Sequence, residues 1–284
     1  MKFISIVINL NKKDTAKILK KILQAGVKYK FKFYLRKDDA HNINLSEYGV
    51  DDDTFYKKCD VVIVLGGDGT FISAANRFYK NKKPILGIHL GSLGFLTEFK
   101  KNEIDILLKY IAENKITVEK RLMIQTDVYR ENKLIDSYIG INEAVISKSG
   151  FSQIVELKAY VNDNYVGTFR GDGLLVSTPT GSTGYSLAAN GPIAVPLTEL
   201  LVFNTICPHT MSTRPIVLPS SAKIKIEIVK EKKDILLTVD GHRGMYLQVG
   251  DKVCVKKSKY KLLVIRAAGR NFFDIMREKF QWIS

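Results

Sequence analysis

The stretch Gly66-Gly67-Asp68-Gly69-Thr70 sets one carboxylate among three glycines and a hydroxyl. Glycines let backbone N–H groups approach an anion closely. A carboxylate in such a turn can orient a substrate hydroxyl and accept its proton as a phosphoryl group is transferred. That chemistry needs the turn held between rigid elements. The preceding run Val61–Leu65 is too short for a helix and reads as a strand buried on both faces. After Thr70, Phe71, Ala74, Ala75 and Phe78 fall on one helical stripe. A glycine turn between a buried strand and a helix is where open α/β sheets bind ligands, and the helix start adds a positive partial charge. The spacing is neither that of a Walker phosphate loop nor the GxGxxG of dinucleotide dehydrogenases.

Two further clusters carry polar side chains beside apolar strand sequence. Asn142 and Glu143 sit in Gly-Ile-Asn-Glu-Ala-Val, where an adjacent amide and carboxylate can hold sugar hydroxyls or base nitrogens. From Phe169 to Ile193 a buried run, Leu174–Val176, leads into a dense set of Ser, Thr and Gly. Arg170 and Asp172 lie just before it, and Tyr185 is available for stacking. The segment reads as the lining of a nucleotide pocket. Cys207–Pro219 and Val239–Gly244 are also unusual, although each suits an ordinary turn.

The first hundred residues alternate strand and helix. Phe3–Leu10 reads as a strand rather than a signal peptide, since Asn9 interrupts the run and no small-residue cleavage site follows. Asp14–Ala25 follows as a helix on Ile18, Leu19, Ile22 and Leu23, then come strands over Lys30–Leu35, Val61–Leu65 and Pro84–Leu90. This βα order implies a parallel, Rossmann-like sheet. A glycine-punctuated loop, Gly91–Phe99, precedes an amphipathic helix at Lys101–Asn114. Beyond it the chain turns to short alternating strands, with hairpins expected at Arg130–Lys133 and Asn162–Asn164 and one or two strands in Gln248–Ala267. The expected architecture is an α/β domain, residues 1–100, and a β-rich, sandwich-like domain, residues 101–267. A closing helix is expected at 268–284 on Phe272, Phe273, Met276 and Phe280.

The chain has 284 residues, 45% hydrophobic and 26% charged, with no segment long and apolar enough to span a bilayer. Three widely spaced cysteines make no CxxC pair, and four histidines show no metal-ligand spacing, which fits a reducing cytoplasm. The net charge of +15 is spread over scattered lysines without the aromatic interleaving of a strand-binding groove. It reads as a lysine-rich surface that also attracts polyanionic small molecules. A basic nucleic-acid-binding module remains the reading from a different class.

In combination the motifs resemble the NAD kinases. They run through nearly the whole chain: Gly-Gly-Asp-Gly-Thr, Gly91-Ser-Leu-Gly-Phe-Leu96, Asn142-Glu143, Asp172-Gly-Leu, Thr178-Pro-Thr-Gly-Ser-Thr183, and Pro208-His with Arg214-Pro. The resemblance implies transfer of the terminal phosphoryl group of ATP to the 2′-hydroxyl of the adenosine ribose of NAD, giving NADP. It implies that Asp68 positions that hydroxyl or takes its proton, and that Gly66, Gly67, Gly69 and Thr70 cradle the ATP phosphates. Phe95, Asn142, Glu143 and Thr180 would line the dinucleotide site with Asp68 and Gly69, and Arg170 and Asp172 would sit at its nicotinamide side. Thr183, Gly184, Tyr185, Ser186, Leu187 and Ala188 would wrap the adenosine, and His242 would make a further contact. Gly184 stands where the family more often has Ala, and His242 where many members have Gln. The resemblance also implies a magnesium ion arriving with ATP, a closing helix that returns to the first domain, and a homodimer or homotetramer. A lipid kinase of the diacylglycerol or sphingosine type shares the first motif and is the alternative. The sequence shows no membrane-docking helix for it.

Overall fold

Alternation of apolar residues builds the elements that hold the turn. The structure, a computed structural model, describes residues 1–149, 154–210, 212–229, 235–267 and 269–282. In chain order these begin with β1 (Phe3–Ile8), α1 (Thr15–Val27), β2 (Lys32–Arg36), α2 (Lys37–Asn42), β3 (Gly49–Val50), α3 (Asp52–Lys57), β4 (Val61–Gly66), α4 (Asp68–Phe78), β5 (Ile85–His89) and α5 (Ile104–Ala112). Then come β6 (Thr117–Arg130), β7 (Lys133–Gly140), β8 (Glu143–Lys148), β9 (Val155–Val161), β10 (Asn164–Gly171), β11 (Gly173–Ser177), α6 (Tyr185–Ala188), β12 (Leu200–Ile206), β13 (Ile216–Pro219), β14 (Ile224–Ile228), β15 (Ile235–Val239), β16 (Arg243–Leu247), β17 (Lys252–Arg266) and α7 (Phe272–Phe280).

The chain forms two compact units, Met1–Lys120 with Leu262–Ser284, and Arg121–Lys261. In the first unit β5, β4, β1, β2 and β3 lie side by side, all parallel. All six residues of β4 are buried, as a strand covered on both faces requires. Ile4, Ile6 and Ile8 of β1 and Val61, Ile63 and Leu65 of β4 share one apolar cluster with the expected stripe of α1 and with Ile104, Leu107, Leu108 and Ile111 of α5. Val62 and Val64 point to the opposite face. There α4 packs on β4, with Phe71, Ala74, Ala75 and Phe78 buried. So α1 and α4 leave neighbouring strands on opposite faces, and the strand order reverses at β1–β4, a topological switch point.

Several expectations shift. The expected boundary near residue 100 moves to Lys120, because the apolar stripe of α5 completes the first core. Gln248–Ala267 holds a single strand of fifteen residues, β17, in line with the one or two expected, and its residues from Leu262 belong to the first unit. In α7, Phe272, Ile275 and Met276 are buried while Phe273 is 54% exposed. Position 273 lies about 100° around the helix from 272, off the buried stripe. The short helices α2 and α3 escape any periodicity because they are largely polar. The Asp51 carboxylate caps α3 by accepting the Thr54 N–H at 2.8 Å.

The second unit is antiparallel. One sheet runs β10-β9-β14-β17, with β6 joining β17 and β7 joining β6; the other runs β13-β12-β11-β8-β15-β16. The hairpin turns fall between β6 and β7 and between β9 and β10, at the expected positions. Leu157, Ala159, Ile224 and Ile226 from one sheet share an apolar cluster with Ile146, Leu174, Val176 and Leu237 from the other, which makes a β-sandwich.

One buried ion pair ties the glycine loop of the first unit to the end of the chain. Glu98 is 2% exposed and Arg266 7%, and the guanidinium donates to the Glu98 carboxylate. Arg266 Nε also lies 3.5 Å from Glu119. Losing one partner strands a buried charge. Arg266→Met is therefore expected to cost about 3–5 kcal/mol, read as a lower denaturation midpoint, and adding Glu98→Gln should recover part of the loss. An unchanged midpoint in the single variant would refute this role for the pair.

Candidate active site

The local sequence puts Asp68 at the first residue of α4, with Gly67 as its N-cap. Both oxygens of its carboxylate accept hydrogen bonds, Oδ1 three and Oδ2 one. Oδ2 accepts the Phe95 N–H at 2.9 Å. Oδ1 accepts the Leu96 N–H at 3.1 Å, the Thr97 N–H at 3.0 Å and the Thr97 hydroxyl at 3.0 Å. Asp68 thus clamps the loop Gly94–Thr97, an association the spacing alone did not reveal. A side chain on Gly94 would collide with the Asp68 carboxylate and the Thr97 hydroxyl, which explains that glycine. Gly66 is required because its Cβ would strike the Thr70 side chain. Gly67 and Gly69 are different: a Cβ at either would meet nothing within 4 Å. Their backbone is left open for a ligand. Phe95 turns its ring away to Phe272 and Phe280, with centroids at 6.0 and 5.8 Å, so only its backbone serves Asp68.

In the second unit the turn Ile141–Glu143 is held by a buried carboxylate. Asp240 accepts the N–H groups of Ile141 at 3.0 Å, Asn142 at 2.8 Å and Glu143 at 3.3 Å. The sequence signal was the odd Val-Asp-Gly-His-Arg-Gly run; its partner was invisible. His242 follows in the same turn and is exposed. From the other side, Thr178 donates its N–H to the Asn142 carbonyl at 2.8 Å and its hydroxyl to the Ile141 carbonyl at 2.5 Å. Gly181 lies so close to the Asn142 backbone that any Cβ would collide with it. A Cβ on Gly184 would lie 3.2 Å from the Glu143 carboxyl and 3.4 Å from the Asn142 amide, so these three expected residues come together.

Four buried oxygens in this region have no hydrogen-bond partner among the described residues: Asn142 Oδ1, Glu143 Oε2, Thr180 Oγ1 and Ser186 Oγ. Buried polar atoms are normally satisfied, so this set suits a ligand rich in hydroxyls or amides. Burial, and then the neighbouring Asp240 charge, push the Glu143 carboxyl up to about 8, against the opposing effect of a Tyr185 N–H donation. Tyr185 is 44% exposed at the rim of a cavity of about 440 Å³, lined also by Ala188, Asn204, Cys207 and Arg214. Thr183 closes its own turn, donating its hydroxyl to the Thr180 carbonyl at 3.2 Å. Ser186 and Leu187 lie in α6 with Ala188. Asp172 pairs with Lys148 at 2.7 Å, while Arg170 points to Glu156 at 3.7 Å rather than to Asp172. Among the described residues no three His, Cys, Asp or Glu side chains converge as a metal site.

A doubly wound sheet with an open glycine turn, and a sandwich with unsatisfied polar atoms, define a protein that handles nucleotides. The comparisons name the class more closely. The ATP-NAD kinase N-terminal domain matches residues 4–116 and the ATP-NAD kinase C-terminal domain residues 141–267. A NAD kinase of Thermoanaerobacter sp. (strain X514) is 37% identical over 279 residues, 98% of this chain and 99% of that one. One of Aquifex aeolicus (strain VF5) is 43% identical over 228 residues, 80% of this chain and 82% of that one. The yeast NADH kinase complexed with NADH shares the fold, with a TM-score of 0.92 at 22% identity over 100% of this chain and 89% of that one. So does an NAD kinase from Archaeoglobus fulgidus in complex with ATP, with a TM-score of 0.75 at 22% identity over 97% of this chain and 99% of that one. The chain belongs to the ATP-NAD kinase family. Both domain matches go to that family, which leaves the lipid-kinase alternative without support.

Two outcomes follow from the geometry. Gly94→Ala forces apart Asp68 and the loop it holds, at a cost of about 1–3 kcal/mol. Amide exchange at Phe95–Thr97 should quicken relative to the rest of the first unit; unaltered exchange there would contradict the clamp. For Glu143, the folded chain keeps a proton up to about pH 8 that the unfolded chain releases near the ordinary value of 4.5. The associated stability is fully present below 4.5 and is lost as pH rises through about 8. Denaturation midpoints from pH 5 to 9 should therefore fall more steeply for the wild type than for Glu143→Gln. Parallel curves would mean that Glu143 titrates as an ordinary surface acid.

Proposed function

We propose that the chain is a NAD kinase whose Asp68 acts on the 2′-hydroxyl of the adenosine ribose of NAD while ATP gives up its terminal phosphoryl group. Membership of the ATP-NAD kinase family supports the reaction. The observation that carries the residue assignment is the Asp68 carboxylate, fixed at the start of α4 beside open glycine backbone. Oδ1 accepts three hydrogen bonds and Oδ2 only one, so Oδ2 keeps a lone pair for a substrate hydroxyl. Gly66, Gly67, Gly69 and Thr70 form the phosphate cradle, with the backbone at Gly67 and Gly69 open and the start of α4 supplying positive partial charge.

Asn142, Glu143, Thr180 and Ser186 offer their unsatisfied oxygens to the dinucleotide. Gly69, Phe95, Arg170, Asp172, Thr183, Gly184, Tyr185, Leu187, Ala188 and His242 complete the assignment by family resemblance. By family resemblance a magnesium ion would arrive with the donor phosphates, and Asp68, within the same glycine turn, is the carboxylate that could meet it. Such an ion neutralises charge on the transferring group. Three free cysteines are consistent with a cytoplasmic enzyme. Exposed Leu197, Val217 and Tyr246 on the second unit are consistent with a homo-oligomer. Among the described residues no helix is long and apolar enough to cross a membrane.

Purified chain incubated with NAD, ATP and magnesium should form NADP, read with an NADP-specific dehydrogenase. Asp68→Asn should keep its affinity for NAD while turnover drops on the order of 10²- to 10⁴-fold. Undiminished turnover in that variant would remove Asp68 from the chemistry, and no NADP from the folded wild type would overturn the reaction itself.

A further inference from the structure

The loop that meets Asp68 is gripped from two sides. Residues 90–98 form no helix or strand, so contacts with their neighbours must set their position. Asp68 holds the N–H groups of Phe95, Leu96 and Thr97 and the Thr97 hydroxyl. The end of the chain holds what Asp68 does not. Arg270 donates from Nη1 to the Glu98 carbonyl, one peptide beyond Thr97, and its Nη2 lies 3.2 Å from the Glu103 carboxylate. Arg266 takes the Glu98 carboxylate. The ring of Phe95 goes to α7. All of these residues belong to the first unit.

The seat for that ring is built into the helix. Phe272 and Phe280 stand two turns apart, about 12 Å along the axis of α7. The Phe95 ring bridges them, with centroids 6.0 Å from one and 5.8 Å from the other. Buried Met276 falls between them on the same i, i+4, i+8 ridge. Lys279 Nζ stands over the Phe95 ring, 5.6 Å from its centroid, as a cation on an aromatic face. The start of α7 is fixed in turn. The Asn271 side chain accepts the N–H groups of Phe273 at 2.9 Å and Asp274 at 3.1 Å, and the Asp274 carboxylate accepts the Asn271 N–H at 2.8 Å. None of the three rings belongs to the apolar cluster that α1 and α5 make on the sheet, so that core does not account for the seat.

We propose that the end of the chain positions Asp68 for phosphoryl transfer: Arg270, Phe272 and Phe280 fix the loop whose N–H groups orient the Asp68 carboxylate. The proposal rests on the kinase reading and names what aims the carboxylate in it. Three bonds to Oδ1 and one to Oδ2 set the plane of the carboxyl group, and with it the direction of the lone pair left on Oδ2. If the loop slides, its donors move together and the carboxylate turns with them. A shift of about 1 Å caused far from the chemistry can cost on the order of 10²-fold in rate. Arg270, Phe272 and Phe280 are therefore positioning residues, acting on the substrate hydroxyl through the loop and Asp68.

The test uses the full chain, well below its unfolding midpoint. Phe280→Ala is the main variant, because Phe280 is partly exposed at the last turn of α7 and lies outside the main apolar cluster. The kcat for NADP formation should fall on the order of 10- to 100-fold, while NAD affinity measured by calorimetry stays at the wild-type value. Phe280→Tyr keeps the ring and should restore kcat. Arg270→Ala releases the loop at its carbonyl instead of its ring and should give the same split between kcat and affinity. Independently of turnover, amide exchange at Phe95–Thr97 should quicken in both truncated variants and return to the wild-type rate in Phe280→Tyr. A kcat that holds in Phe280→Ala and in Arg270→Ala would make these contacts mere packing and overturn the proposal. Unaltered exchange at Phe95–Thr97 in both would overturn it as well. A wild type that makes no NADP, with exchange still quickened in both variants, would sink the kinase reading and leave the link between the end of the chain and the Asp68 loop standing.

Discussion

The first unit depends on one carboxylate accepting four hydrogen bonds. Asp68 stands at the start of α4 and gathers the N–H groups of Phe95, Leu96 and Thr97 and the Thr97 hydroxyl. Charge-assisted bonds of this kind are roughly twice as strong as neutral ones. They join two segments more than twenty-five residues apart, the turn after β4 and the loop after β5. Everything nearby conforms to that geometry. Gly94 has no side chain because none would fit. The ring of Phe95 is turned into an aromatic group with Phe272 and Phe280. Glu98, just beyond the loop, is anchored by Arg266.

The second unit repeats the device with a different aspartate. Asp240 is buried and collects three successive N–H groups of the Ile141–Glu143 turn. In both units a fixed carboxylate gathers successive backbone N–H groups of a loop. The cost differs. Asp68 is spread over four donors at a helix start. Glu143 is buried beside Asp240, and burial first and that neighbouring charge second push its carboxyl up to about 8. A neutral carboxyl is both donor and acceptor, which is useful against sugar hydroxyls.

What could be read from the sequence divides along the same line. Local signals were enough for β4 and α4, because a run of branched residues followed by a helical stripe has few other solutions. They were enough for α1 and for both hairpins. Local signals failed where an element is short and polar, as in α2 and α3, and at Phe273, which lies off the buried stripe of α7. They also failed at the unit boundary, since only the packed core shows which side claims α5. At the site, the residue types were plain but the pairings were not. Nothing in Gly-Gly-Asp-Gly-Thr announces that Thr97 is its partner, and nothing near Asn142 points to Asp240, almost a hundred residues on.

The two kinds of glycine in the Asp68 turn give the last physical step. Gly66 and Gly94 are glycines because the protein itself fills the space a side chain would take. Gly67 and Gly69 face open space, and neither has the positive φ that would favour glycine on conformational grounds. Neither crowding nor backbone conformation within the described residues requires a glycine at these two positions. On the proposed function, a phosphate that touches backbone N–H groups at a helix start would account for both. The clamp on Asp68 fixes the direction of its one underused oxygen relative to that same backbone. Rigid aim of this sort is what phosphoryl transfer asks of a protein, since most of the catalysis is positioning and charge neutralisation rather than covalent work.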